Sequence, residues 1–145
     1  MGVNVEIKNA EGEPGFDTTG GLARQTVSVI HATIEAGDVL VSSFDLATLD
    51  VVREADADMA TGYLVFSGEE PLDAVALCVE RAHQAINPFD FFVTQDSIVR
   101  AHDSGIEVNV WTVDDPTRIA ELGSWGADSV ITNRPALALA ALGRA

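Results

Sequence analysis

Short apolar runs rich in Val, Ile and Phe alternate along the chain with stretches whose apolar residues recur at helical spacing. The pattern predicts strands at Val3–Lys8, Val39–Phe44, Met59–Phe66, Ala85–Asn87, Glu107–Val113 and Ser129–Thr132. Between them it predicts helices near Leu22–Ala36, Leu46–Ala55, Pro71–His83, Gln95–Ser104, Asp115–Trp125 and Pro135–Leu142. Gly37, Gly105 and Gly126 each follow the last periodic residue of a helix, where the left-handed conformation costs glycine little. Pro116 and Pro135 fall at helix starts, where a missing N–H is no loss. Val39-Leu40-Val41 and Val130-Ile131 are apolar at consecutive positions, as strands of a covered parallel sheet are.

Regular βα alternation without a GxGxxG turn favours a (β/α) barrel over a dinucleotide-binding open sheet. Such a barrel has eight units in about 250 residues, whereas this chain has six in 145. The expected fold is therefore α/β: an incomplete TIM-type barrel, or failing that an open six-stranded sheet. Met1-Gly2 leads straight into the first strand, with no leader-like segment, so the expectation is that upstream strands are missing. Cytoplasm is the default compartment. The longest irregular stretch, Asn9–Gly21, follows a strand's C-terminal end, where long loops tend to serve a site.

Charge narrows the function. Asp+Glu number 23 against 8 Lys+Arg, a formal charge of −15, which excludes a nucleic-acid binder because phosphate recognition needs a basic stripe. No apolar run is long enough for stable membrane insertion. The single cysteine, Cys78, lies in an apolar helical run and reads as a small buried hydrophobe.

Lysine occurs once, at Lys8, inside an otherwise apolar strand. Glu6 is two positions away, so the period of a strand points both side chains to the same face. In a barrel that face is the interior near the rim, where a carboxylate can bind a metal and an ammonium can meet an anion. The plain alternative is an ion pair capping the core.

The segment Val3-Asn4-Val5-Glu6-Ile7-Lys8-Asn9 resembles an internal motif of the glycerophosphodiester phosphodiesterase family. Four later segments resemble that family in its order: Val41–Asp45 (VSSFD), Ala85–Pro88 (AINP), Val110–Asp114 (VWTVD) and Gly126–Pro135 (GADSVITNRP). The resemblance implies metal-dependent hydrolysis of a small-molecule glycerophosphodiester to glycerol 3-phosphate and an alcohol. It implies that Glu6 is a metal ligand, for Mg²⁺ or Ca²⁺, that Lys8 contacts the phosphate, and that Phe44 and Trp111 line the pocket. Hard divalent cations do prefer carboxylate oxygens, and an ammonium offsets charge that develops on phosphorus oxygens.

The family's histidine pair and its other metal carboxylates belong to HRG-type, ExD-type and His-Asp segments with no counterpart here. No residue of this chain is expected to be catalytic, and the chain alone is expected to be inactive. His31, His83 and His102 are assigned to the outer layer, the latter two in last helical turns. Trp125 is assigned to helix packing. Asp38, Asp45, Asp50, Glu54, Asp56 and Asp58 are assigned to a solvated face. Arg134, before Pro135, is a second candidate for phosphate, with a surface salt bridge as its alternative.

Three readings follow: a C-terminal part of a phosphodiesterase, a subunit that completes its barrel with a partner chain or a second copy, and a non-catalytic phosphate-binding relic. Open sheet edges at Val3–Lys8 and Ser129–Thr132 would invite self-association or a partner chain.

Overall fold

The computed structural model describes residues 3–33, 39–66 and 71–144. Six strands, β1 (Val3–Glu6), β2 (Val39–Ser43), β3 (Ala60–Val65), β4 (Ala85–Pro88), β5 (Glu107–Val110) and β6 (Ser129–Val130), form one sheet in sequential order. Every adjacent pair is parallel. Helices α1 (Gly21–Thr33), α2 (Leu46–Ala55), α3 (Pro71–Arg81), α4 (Gln95–Asp103), α5 (Pro116–Trp125) and α6 (Pro135–Ala141) follow the strands in turn. The sheet never reverses its winding order, as an open dinucleotide-binding sheet does.

Curvature is visible in the side chains. Phe44 follows β2 and Trp111 follows β5, three strands apart, a separation of roughly 14 Å across a flat sheet. Their ring centroids are 5.6 Å apart. The sheet is curled into part of a barrel, with its concave side inward and its helices outside.

The core lies between sheet and helices. Val39, Val41, Tyr63, Val65, Ile86, Val108 and Val110 project outward and bury against Leu49 and Val52 of α2, Ala74 and Cys78 of α3, Ile98 and Ala101 of α4, and Ile119 and Leu122 of α5. Helix starts are fixed locally. Asp45 accepts from the backbone of Ala47 and Thr48, Thr94 and Ser97 form a reciprocal capping box, and Asp115 caps α5 ahead of Pro116. Caps of this kind stabilise by about 1 kcal/mol each. Gly126 closes α5 at φ +92°, where an L side chain would be strained.

Most strands end one to three residues before the apolar runs do, because residues at the C-terminal rim leave the ladder while their side chains stay over the concave face. A short 3₁₀ turn at Asp90–Phe92, absent from the sequence expectation, sits on that rim. Helix α3 ends at Arg81, and Ala82 takes φ +59°, which turns His83 back into the protein. His83 is buried rather than placed in a last helical turn, with Nδ1 at 3.0 Å from Thr61 Oγ1. The expected continuation of α1 to Ala36, and Gly37 and Asp38, fall outside the described residues.

Candidate functional site

Strand β1 alternates as its sequence requires. Val5 and Ile7 pack toward α1 and the core, so Asn4, Glu6 and Lys8 face the concave side. Lys8 Nζ donates to Glu6 Oε1 at 2.7 Å. Side-chain exposure is 77% for Lys8 and 33% for Glu6. The pair therefore does not cap a core, and exposed pairs of this sort stabilise by only ~0–1 kcal/mol. What the pair provides is a cation and an anion standing together at the rim.

Register carries the site around the sheet. Glu6 lies opposite Ser42, and the ladder continues past the strand through Ile7 N–H to the Ser42 carbonyl and the Ser43 hydroxyl to the Ile7 carbonyl. Phe44 is thereby held beside Lys8. Further round, Phe66, Phe89 and Trp111 close on one another, with centroid separations of 5.2 Å for Phe66–Phe89, 5.3 Å for Phe89–Trp111 and 5.9 Å for Phe66–Trp111. The Trp111 indole N–H donates to the Asn87 carbonyl at 2.6 Å and fixes the ring. Phe44 and Trp111 are thus brought together, edge to face.

Beneath the rings runs a polar layer that the sequence reading missed. Ser129 Oγ donates to Asn109 Oδ1 at 2.6 Å, and Asn109 Nδ2 donates to Asn87 Oδ1 at 3.2 Å. Asn87 Nδ2 and Ser42 Oγ are buried without a protein hydrogen-bond partner. The signal was a lone polar residue at alternate positions of apolar strands, Ile86-Asn87-Pro88 and Val108-Asn109-Val110. Gly62 is required here, since a Cβ at that position would lie 2.7 Å from Asn87 Oδ1.

Arg134 is exposed beyond β6 and forms no ion pair among the described residues. Its loop is fastened by Asp114, which accepts from Thr132 Oγ1, Asn133 N–H and Asn133 Nδ2 at 2.8–3.0 Å. The Asn133 amide, then the Thr132 hydroxyl, hold the Asp114 carboxyl below its ordinary value. Arg134 N–H donates to Thr132 Oγ1, so it is not free for an anion, and α6 has only seven residues.

The long loop Asn9–Gly21 is a brace. Buried Asn9 bonds Thr48 Oγ1 and the Asp17 backbone, and Asp17 caps α1 through Leu22 N–H and bonds Thr19. Led by the Leu22 bond, these hold the Asp17 carboxyl near about 2. His31 and His102 pair with Asp56 and Asp128 on the outer surface, and no histidine reaches the concave face. Cys78 is fully buried and burial pushes its thiol up to about 12, so it is no nucleophile. Trp125 packs under the Arg118 guanidinium at 4.7 Å.

Among the described residues no three His, Cys, Asp or Glu side chains gather around a common point. A hard divalent cation takes about six or more oxygens, and Glu6 brings one carboxylate already engaged by an ammonium. The side chains described do not make a metal site by themselves. Two clefts, of about 720 Å³ between α3 and α4 and about 670 Å³ against α5, β6 and α6, contain none of Glu6, Lys8, Phe44 or Trp111.

A singly wound parallel sheet, curled with its helices outside and with charged and aromatic side chains at the C-terminal ends of its strands, defines the (β/α) barrel class. The chain belongs to the glycerophosphoryl diester phosphodiesterase family, whose model matches residues 1–137. An Oleispira antarctica phosphodiesterase in complex with the product sn-glycerol-3-phosphate superposes with a TM-score of 0.83 at 20% identity, over 99% of this chain and 56% of that one. A putative glycerophosphodiester phosphodiesterase from Galdieria sulphuraria gives 0.83 at 19%, over 99% and 57%. A glycerophosphodiester phosphodiesterase from Parabacteroides distasonis gives 0.80 at 22%, over 98% and 57%. The chain thus spans little more than half the length of these structures, and the likeness shows the fold. No curated protein matches. No helix among the described residues is long and apolar enough to cross a membrane.

Proposed function

We propose that the chain forms the phosphate-binding side of a glycerophosphodiester phosphodiesterase barrel, whose reaction gives glycerol 3-phosphate and an alcohol. The observation that carries this reading is the Glu6–Lys8 pair at 2.7 Å on the concave rim, in a chain that matches the family over residues 1–137. Lys8 is the only lysine in a chain of charge −15, so its ammonium is the local attraction for an anionic ester and offsets charge on the phosphoryl oxygens as the reaction proceeds. Phe44 and Trp111 exclude water from one wall, and Arg134 stands on the fastened loop beyond β6 as a second cation. Toward the divalent cation, Mg²⁺ or Ca²⁺, that the family implies, the chain offers Glu6 as one ligand; one ligand is not a site, and no step is routed through it.

Proton transfer to the leaving alcohol needs a group within reach of the ester. His31 and His102 lie on the outer surface and His83 is buried against Thr61, so the chain alone is expected not to turn over glycerophosphocholine with Mg²⁺ or Ca²⁺. Release of glycerol 3-phosphate that disappears in Glu6→Ala and Lys8→Ala would overturn this account of the missing acid and base. Exposed β1 and the two-residue β6 favour a second reading, in which the chain binds phosphate without catalysis and completes its barrel with a partner chain.

A further inference from the structure

The carboxylates outnumber the structural roles open to them. Among the described residues no Asp or Glu is buried, and only Glu6, Asp50, Asp90, Asp96 and Glu121 pair with a lysine or arginine. Asp17, Asp45, Asp56, Asp114, Asp115 and Asp128 accept from backbone N–H groups, which gives each a structural reason to be charged. Glu11, Glu13, Glu54, Asp58, Glu80 and Asp103 have none: all are exposed, and among the described residues their side chains make no ion pair or hydrogen bond.

Like charges also share neighbourhoods. Glu54 follows Asp50 by four residues on α2, a spacing at which two carboxylates repel on one helix face. Glu80 of α3 and Asp103 of α4 line the same cleft, whose one cation, Arg100, is already taken by Asp96. Solubility does not require this excess, since a net charge of roughly 2–8 keeps a small domain soluble and this chain carries −15. Lysine, ordinarily one of the commonest surface residues, occurs once.

Such an excess acts on the compact state. A chain of this length has a radius of gyration of about 15 Å folded and about 40 Å unfolded, so self-repulsion falls mainly on the folded form. At about 0.1 M salt the screening length is about 10 Å, which spans much of the folded radius; at about 1 M it is about 3 Å, shorter than the distance between most neighbouring side chains. Salt also weakens the ion pairs, but exposed pairs contribute little to begin with.

We propose that the fold is conditional on salt: hydrated monovalent cations gather over the carboxylate surface and hold the chain compact at molar ionic strength, and cooperative structure is lost as that salt is removed. The surface, rather than any single site, is the receptor. The inference is independent of the phosphate reading, because it concerns the outer carboxylates and involves neither Lys8 nor a phosphodiester.

The test is thermal unfolding of the chain, followed by far-UV circular dichroism in about 0.1 M and about 2 M KCl, and in about 1 M sucrose, which stabilises by exclusion from the surface without screening charge. The comparison is a variant carrying Glu11→Gln, Glu13→Gln, Glu54→Gln, Asp58→Asn, Glu80→Gln and Asp103→Asn, which lowers the formal charge by six, from −15 to −9. In the wild type, Tm is expected to rise by at least about 15 °C between the two KCl concentrations. The variant is expected to melt higher than the wild type in low salt, to lose at least half of the KCl-dependent rise, and to keep the same rise in sucrose. A KCl-dependent rise under about 4 °C in the wild type, or one undiminished in the variant, would overturn the proposal. So would a variant that fails to fold, which would give those six side chains a structural role, and so would a wild type with no cooperative transition in about 2 M KCl. Each of these results leaves the role of Lys8 to be decided by its own titration.

Discussion

Arg118 ties the rim to the body of the protein, and replacing it with methionine gives a prediction that the geometry can quantify. The guanidinium makes a partly buried ion pair with Asp90, a bond to the carbonyl of buried Val93, a more exposed bond to Glu121 at 2.6 Å, and a stack on Trp125 at 4.7 Å. Charge-assisted bonds that are partly buried contribute about 1–2 kcal/mol, and an orphaned buried carbonyl costs about 1 kcal/mol. The cation–π stack adds ~0.5–1 kcal/mol, and the Glu121 arm adds ~0.3 kcal/mol. A methionine returns about 1 kcal/mol of that through apolar contact with Trp125. Arg118→Met is therefore expected to lower stability by about 2–3 kcal/mol, or to lower Tm by about 5–10 °C. Arg118→Lys, which keeps charge but not the planar fork, should lose roughly half as much. Urea unfolding followed by far-UV circular dichroism measures both. A loss under about 0.5 kcal/mol in Arg118→Met, within the range of an ordinary surface change, would refute the tether.

Three further predictions rest on particular contacts. Gly62→Ala places a Cβ 2.7 Å from Asn87 Oδ1, and because that buried amide is held by Asn109 it should cost about 1–3 kcal/mol in chemical denaturation; a neutral effect would mean that the amide layer yields freely. Burial holds the His83 imidazole below its ordinary value of 6.5, so the unfolded chain binds more protons below that value. Its contribution is complete above the unfolded value and is lost as pH falls, and the urea midpoint should drop from roughly pH 7 to pH 5 more steeply in the wild type than in His83→Gln; equal slopes would contradict it. Cys78, fully buried with its thiol raised to about 12, should react with a disulfide reagent only as fast as the protein opens, and rapid labelling of the folded chain would contradict that.

The sheet and its order were legible because consecutive apolar positions and glycine or proline punctuation repeat six times. Strand ends were less so: Phe44, Phe66 and Trp111 are apolar and continue each run, but they lie on the concave rim rather than in the ladder, a difference that hydrophobicity does not encode. His83 was misassigned because nothing in Arg81-Ala82-His83 announces a left-handed alanine. The Glu6–Lys8 pair was legible from strand period alone, whereas the Asn87–Asn109–Ser129 layer is assembled by curvature from three strands and the rim aromatics from the ends of four.

The proposed role of Lys8 is to draw phosphate to the concave face, and isothermal titration of sn-glycerol 3-phosphate into the chain measures it directly. Lys8 and Glu6 are exposed enough that Lys8→Ala leaves the fold in place. The expected result is at least tenfold weaker binding in Lys8→Ala, with Arg100→Ala on the outer helix α4 indistinguishable from wild type. Equal affinity of Lys8→Ala and wild type for that ligand would contradict the central claim.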